Sequence, residues 1–292
     1  MQSVFIAGAT GYLGRYLCAE YRRRGAHVTA LVRDSRAAAD LDADRLIEAE
    51  ATRADALCGA MKGIDLVVSA LGITRQADGL TYEDVDFGAN VNLLREAERA
   101  GVARFAYVHV LNAAAMRHVP LVSAKADFVD VLHASGIAST VIAPSGYFSD
   151  MGDFLAMARS GRVWLFGSGR ARINPIHGAD LATAVADAAG AGRDWLDVGG
   201  PEAFTQVEIA ELAFAALGRP ARITRLPDSL RRAALAVLPW TTPRRIHGPA
   251  QFFLTALALD MVGDARGTRR LADHFRGLCA PIQPTENKGV SI

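Results

Sequence analysis

The chain has 292 residues, 51% apolar and 22% charged, enough to bury a large core and unlike a disordered or fibrous sequence. Its net charge of +1 supplies no bulk field to recruit nucleic acid or an anionic membrane. Cys18, Cys58 and Cys279 are odd in number and widely spaced, which argues against a disulfide framework or a zinc site and for reduced thiols in a cytoplasmic protein.

The first predicted element is a buried strand over Val4–Ala7. It enters a turn, Gly8-Ala9-Thr10-Gly11-Tyr12-Leu13-Gly14, with glycines at GxxGxxG spacing. A helix over 12–24 follows at once, with Leu13, Tyr16 and Leu17 on one face. The N-terminus running straight into a core strand implies no signal peptide. A glycine turn between strand and helix lets backbone approach a pyrophosphate, which then sits at the positive end of the helix. Gly8, Thr10, Gly11, Tyr12, Leu13 and Gly14 are therefore candidate cofactor-binding residues.

Val28–Val32 reads as a second strand, ending in Arg33-Asp34. The residue at this place meets the adenosine ribose: an acid favours a free 2′-hydroxyl and an arginine a 2′-phosphate. Arg33 comes first, with Arg36 behind it and Arg15 on the facing helix, which favours NADP(H) over NAD(H). Asp34 leaves room for NAD(H), and Arg33 also reads as a solvated loop charge.

Further strands are expected at 65–70, 105–110 and 140–143, separated by helices at 81–100 and 123–135 that end near Gly101 and Gly136. Strands spaced by helices give βαβ units, hence an α/β fold with a Rossmann-type, doubly wound parallel sheet over residues 1–200. Segment 144–178 reads as a substrate loop with a short helix near 150–160. Asp180 is placed to cap a helix through Ala189, and Trp195–Val198 reads as a late strand. Residues 201–280 form a smaller, mostly helical substrate region, with a helix at 206–217 and an apolar helical stretch at 228–262 broken at Pro239, Pro243 and Pro249. These breaks argue against a spanning helix and favour a lid over an apolar substrate, the alternative being a face that docks on a membrane or partner. A loose polar tail is expected over 281–292.

Several of these segments together resemble the atypical short-chain dehydrogenases/reductases of the NmrA-like and isoflavone-reductase-like NAD(P)-binding kind. Besides the glycine turn, they are Val68-Ser69-Ala70-Leu71-Gly72, Val85-Asp86-Phe87 with Asn90 and Leu93-Leu94-Arg95-Glu96-Ala97, Gly101-Val102-Ala103-Arg104-Phe105, Ser135-Gly136-Ile137 through Pro144-Ser145-Gly146-Tyr147-Phe148, and Pro175-Ile176-His177 with Asp180-Leu181-Ala182. The resemblance implies that Ala70, Leu71 and Gly72 pass beside the cofactor and that Lys125 contacts the nicotinamide ribose. The chain departs from the usual YxxxK pair, since Lys125 is preceded four residues earlier by Leu121. Relatives of the isoflavone-reductase type also lack that tyrosine and are thought to rely on the lysine. Ala143 replaces the arginine usual before Pro144, and His109 falls loosely where the family has a catalytic serine.

Three side chains are therefore candidates for proton chemistry. Lys125 can add positive charge beside a donor, although on an amphipathic helix it also reads as a surface lysine. His109, near the C-terminal end of an apolar strand, is a proton donor if its pKa is near 6.5, or a core histidine. Tyr147 can face the nicotinamide or wall the pocket. His177 and Asp180 read as structural, and no spacing resembles a metal site. The expected function is NADPH-dependent hydride transfer to a carbonyl or activated double bond of a small apolar substrate, with homo-oligomerisation left open. Two alternatives are a non-catalytic NADP(H)-binding sensor or assembly factor and a cofactor-retaining epimerase or lyase.

Overall fold

The computed structural model of the chain describes residues 1–73 and 79–279, so the tail expected over 281–292 lies outside the described residues. Strand β1 (Ser3–Ala7) leads through the glycine turn into α1 (Tyr12–Arg23), β2 (His27–Val32), β3 (Arg45–Glu48) and β4 (Leu66–Ser69). A π-helical stretch, Glu83–Ala89, runs into α2 (Asn90–Ala100), whose C-cap Gly101 has φ +71°. Then come β5 (Arg104–Val108), α3 (Pro120–Ala134) and β6 (Ala138–Pro144). Helix α3 starts three residues before the expected 123, because Pro120 occupies its first turn, where a missing N–H costs nothing. It closes on extended Ser135 (φ −76°, ψ 162°) and not on a left-handed Gly136.

The second half adds α4 (Gly152–Arg159), β7 (Val163–Phe166), β8 (Arg172–Ile173), α5 (Gly178–Gly190), β9 (Trp195–Gly199), β10 (Phe204–Thr205), α6 (Gln206–Ala216), β11 (Ile223–Leu226), α7 (Asp228–Thr241), α8 (Arg244–Ala256), β12 (Asp264–Ala265) and α9 (Leu271–Cys279). Pro239 and Pro249 do not break the chain: both lie inside helices, and the turn falls at 242–243, where Pro243 is the N-cap of α8.

Eight strands form one sheet in the order β3-β2-β1-β4-β5-β6-β9-β12, and every pairing in it is parallel. This is the Rossmann-type doubly wound order expected from the βαβ rhythm. Alternate residues of β1 serve opposite faces: Val4 and Ile6 pack with Leu13, Leu17, Leu181 and Val185 of α1 and α5, while Phe5 and Ala7 pack with Leu93, Phe128 and Leu132 of α2 and α3. Phe148, Leu155, Ile209, Phe214 and Phe275 build a separate core over the C-terminal ends of the strands. The short edge strand β3 was not foreseen; only its central Leu46 and Ile47 are apolar, too brief a pattern to stand out.

Candidate cofactor and active site

Strand growth reverses between β1 and β4, the switch point at which open α/β sheets bind ligands. Here Gly8 adopts φ +77°, and a Cβ on it would lie 2.7 Å from the carbonyl oxygen of Ala70. A Cβ on Gly14 would collide with the backbone of Gly8 and Ala9. Gly8 thus lets the first turn and the end of β4 close on each other, and Gly14 lets the start of α1 close on the turn. Helix α1 begins just beyond, with no acidic residue in its first turn and no side chain capping it, which leaves the positive end of its dipole for an anion. Arg33 stands exposed just past the end of β2, the strand beside β1.

The loop after β4 is fixed from beneath. Ser69 Oγ donates to Asn90 Oδ1 (2.5 Å), and Asn90 Nδ2 donates to the carbonyls of Asp86 (2.9 Å), Val85 (3.2 Å) and Leu71 (3.4 Å). Asp86 Oδ2 accepts the Ile73 N–H at 3.1 Å. In the sequence Asp86 and Asn90 stand only as letters of a motif; in the fold they hold residues 69–73, a pairing that spacing alone does not reveal.

Above this floor lies a cavity of about 320 Å³. Gly8, Gly11, Tyr12, Leu13, Gly14, Ala70, Gly72, His109, Lys125 and Tyr147 all line it. Among the other predicted residues, Thr10 is exposed at the turn, Arg33 stands outside the lining, and Leu71 packs towards the α2 and α3 core. The far wall is apolar, with Met151, Phe154, Ile173, Phe252, Leu257 and Met261. Gln206 Nε2 donates to the Leu257 carbonyl (2.6 Å) and so ties α6 to the end of α8. Asn112, held at φ +55°, donates to the Asp260 carbonyl (2.5 Å), which seats Met261 against the strand ends.

Lys125 Nζ is 3.1 Å from Asp86 Oδ1 and lies 5.3 Å from the centre of the Tyr107 ring. Burial opposes its charge, the Tyr107 hydroxyl and Asp86 act the other way, and the net shift is upward, so the ammonium stays protonated; burial in turn raises the Asp86 carboxyl. Lys125 is thus a cavity-wall residue and not a surface lysine. Burial, reinforced by the charges of Lys125 and Arg117, pushes His109 down to about 3. The expected pKa near 6.5 is therefore not met: the imidazole is neutral at pH 7, with Nδ1 buried and without a hydrogen-bond partner. Burial lifts the Tyr147 hydroxyl above its ordinary range, with Lys125 opposing. Its ring packs 5.7 Å from that of Tyr12, whose hydroxyl accepts the Gly178 N–H (3.1 Å). Asp150, missed in the sequence, lines the same cavity; burial raises its carboxyl to about 6.

A family model described as NAD(P)H-binding matches residues 8–189. The chain belongs to the NAD(P)H-binding family. It is 29% identical over 262 residues to divinyl chlorophyllide a 8-vinyl-reductase of Oryza sativa subsp. indica, a match covering 81% of this chain but only 64% of that protein's length. It is 28% identical to the photosystem II assembly factor Ycf39 of Synechocystis, over 78% of this chain and 72% of the relative. In three dimensions it resembles the NADPH-dependent quinone oxidoreductase QOR2 of Escherichia coli, solved with NADPH (TM-score 0.75, 21% identity, 94% and 99% of the two chains). The likeness to QOR2 concerns the fold.

For an NAD(P)H-binding protein the site fits its cofactor: the glycine contacts leave no volume for side chains where the turn and β4 meet, and the helix end carries no acid of its own. The PIHxxDLA-like segment of this NAD(P)H-binding chain is structural, with its two polar roles redistributed. His177, and not Asp180, caps α5, its Nδ1 accepting the Ala179 N–H (3.2 Å). Asp180 accepts the N–H groups of Thr268 (3.1 Å) and Arg269 (2.9 Å) and pairs with the Arg269 guanidinium. No helix among the described residues is long and apolar enough to cross a membrane.

Proposed function

We propose that this protein is an NADPH-dependent reductase acting on a carbonyl or activated double bond of a small apolar substrate. The observation that carries this reading is the protonated Lys125, set in the cavity wall between the glycine turn and an apolar chamber. The named reductase among its relatives supports it. Gly8, Gly11, Gly14, Ala70 and Gly72 would hold the cofactor, and Arg33 at the end of β2 favours its 2′-phosphorylated form. Bound NADPH supplies the hydride.

The chain's own part is to place charge and a proton. Lys125 orients the ribose and holds positive charge where negative charge develops on the substrate. Tyr147 keeps its proton at neutral pH and releases it from Oη to the reduced substrate, then recovers one from water. Neutral His109 carries no imidazolium proton to give.

The test titrates the protein with NADPH and NADH, then follows absorbance of the reduced cofactor with apolar ketones, enones and quinones. Substrate-dependent oxidation that is lost in Lys125→Ala and slowed in Tyr147→Phe supports the reductase. Binding without turnover moves the reading to a cofactor-binding sensor or assembly factor, which Leu121 favours by lining the cavity where a tyrosine would stand. Substrate isomerised without net oxidation indicates an epimerase or lyase.

A further inference from the structure

The solvent face of α7 is apolar. Leu230, Ala233, Val237 and Trp240 fall at i, i+3, i+7 and i+10, one face of the helix, and all four are exposed. Trp240 is 88% exposed, Val237 53% and Leu230 50%. A helix of a globular domain normally turns such a stripe inward. The neighbouring α8 adds Ile246, itself 50% exposed, and Phe253, which is exposed at its outer edge and also lines the cavity. The two helices pack together, and Arg231 of α7 donates to the Leu254 carbonyl of α8 at 3.0 Å, so the stripe belongs to an anchored hairpin.

Charge is segregated in the same stretch. Residues 219–259 contain seven arginines, no lysine, and a single acid, Asp228, which the overall balance of +1 conceals. Arg232, which lies 3.3 Å from Asp228 yet keeps most of its side chain in solvent, and Arg245 are exposed on the hairpin itself. An apolar face with a protruding tryptophan and flanking guanidinium groups matches a bilayer surface: the apolar side chains enter the headgroup–acyl boundary and the arginines meet lipid phosphates. A two-fold contact between copies would instead gather the arginines of both chains in one interface.

We infer that α7 and the start of α8 dock on an anionic lipid surface. The docking face and the cavity wall share Phe253, so a lipid-soluble substrate passes from bilayer to cavity beside one side chain; that passage rests on the reductase reading, whereas docking does not.

The test mixes the full chain with phosphatidylcholine vesicles, with or without phosphatidylglycerol, and sediments them. The chain is expected to pellet with the anionic vesicles, less so at high salt, and to stay in solution with the neutral ones. With Trp164 and Trp195 replaced by phenylalanine, Trp240 emission is expected to shift to the blue on anionic vesicles. Trp240→Ser, and separately the pair Arg232→Gln with Arg245→Gln, are expected to weaken binding about tenfold, with NADPH titration and thermal midpoint unchanged. Absence of vesicle binding, or equal binding to both compositions, overturns the inference. So does a dimer in size exclusion that Trp240→Ser dissolves without any vesicle binding, which assigns the face to a second copy. Docking without turnover upholds the membrane assignment and sinks the reductase reading alone.

Discussion

Lys125 Nζ lies 3.1 Å from Asp86 Oδ1 across the wall of the cavity, in a space that only a glycine at 72 leaves open. A Cβ on Gly72 would stand 2.5 Å from Asp86 Oδ1 and 2.9 Å from Lys125 Nζ. One ion pair therefore joins α3, the π-helical stretch and the loop after β4. Removing one partner strands the other charge in a poorly solvated site. Asp86→Ala is expected to cost about 3 kcal/mol or more, read from urea unfolding. The double variant Asp86→Leu with Lys125→Met is expected to regain most of that stability without regaining cofactor oxidation.

Gly14→Ala is expected to weaken NADPH binding by at least about tenfold, because the new methyl group meets the backbone of Gly8 and Ala9 and not a movable side chain. Gly25→Ala is the control. Gly25 also has positive φ, +78°, but open space around it, so this change costs about 1 kcal/mol of stability and leaves NADPH affinity alone. Fluorescence titration and thermal melting separate the two effects.

Asp150 makes stability fall as pH rises. Its carboxyl is raised to about 6 by burial, so between pH about 4 and about 6 the native state holds a proton that the unfolded chain has released. Stability is expected to drop by about 2–3 kcal/mol across that window. Asp150→Asn removes this contribution, so the difference between its urea midpoints and those of the wild type, taken pH by pH, isolates it.

His109 acts in the opposite sense. The native ring resists protonation until about 3, whereas the unfolded ring takes a proton near 6.5, so its contribution is lost as pH falls through that interval. His109→Gln is expected to flatten the acid side of the stability curve. For the same reason the pH profile of kcat is expected to show no limb near 6.5 that His109→Gln abolishes. A His109 imidazole resonance that titrates near 6.5 contradicts this account.

Arg33→Ala is expected to raise the KM for NADPH about tenfold and to change that for NADH little, since only the phosphorylated ribose offers a guanidinium a bidentate charged contact. Steady-state kinetics with both cofactors decides it.

The amino-acid sequence by itself determined the inner strands of the sheet and the glycine turn. Val4–Ala7 followed by Gly8, Gly11 and Gly14 is local information: apolar periodicity and glycine spacing are set within a dozen residues, and backbone sterics allow few conformations for them. The βαβ rhythm then restricts the strands to a right-handed parallel order. Tertiary structure decided the rest, because it depends on residues far apart in the chain. The Lys125–Asp86 pair joins positions 39 residues apart, and the His109 pKa is set by burial and by charges from other segments. Asp180 gave its expected capping role to His177 because its carboxylate is claimed by the backbone of Thr268 and Arg269, 88 and 89 residues away. Likewise, the apolar, helical character of 228–262 was legible, but which side chains of α7 face outward is fixed only by packing against α8.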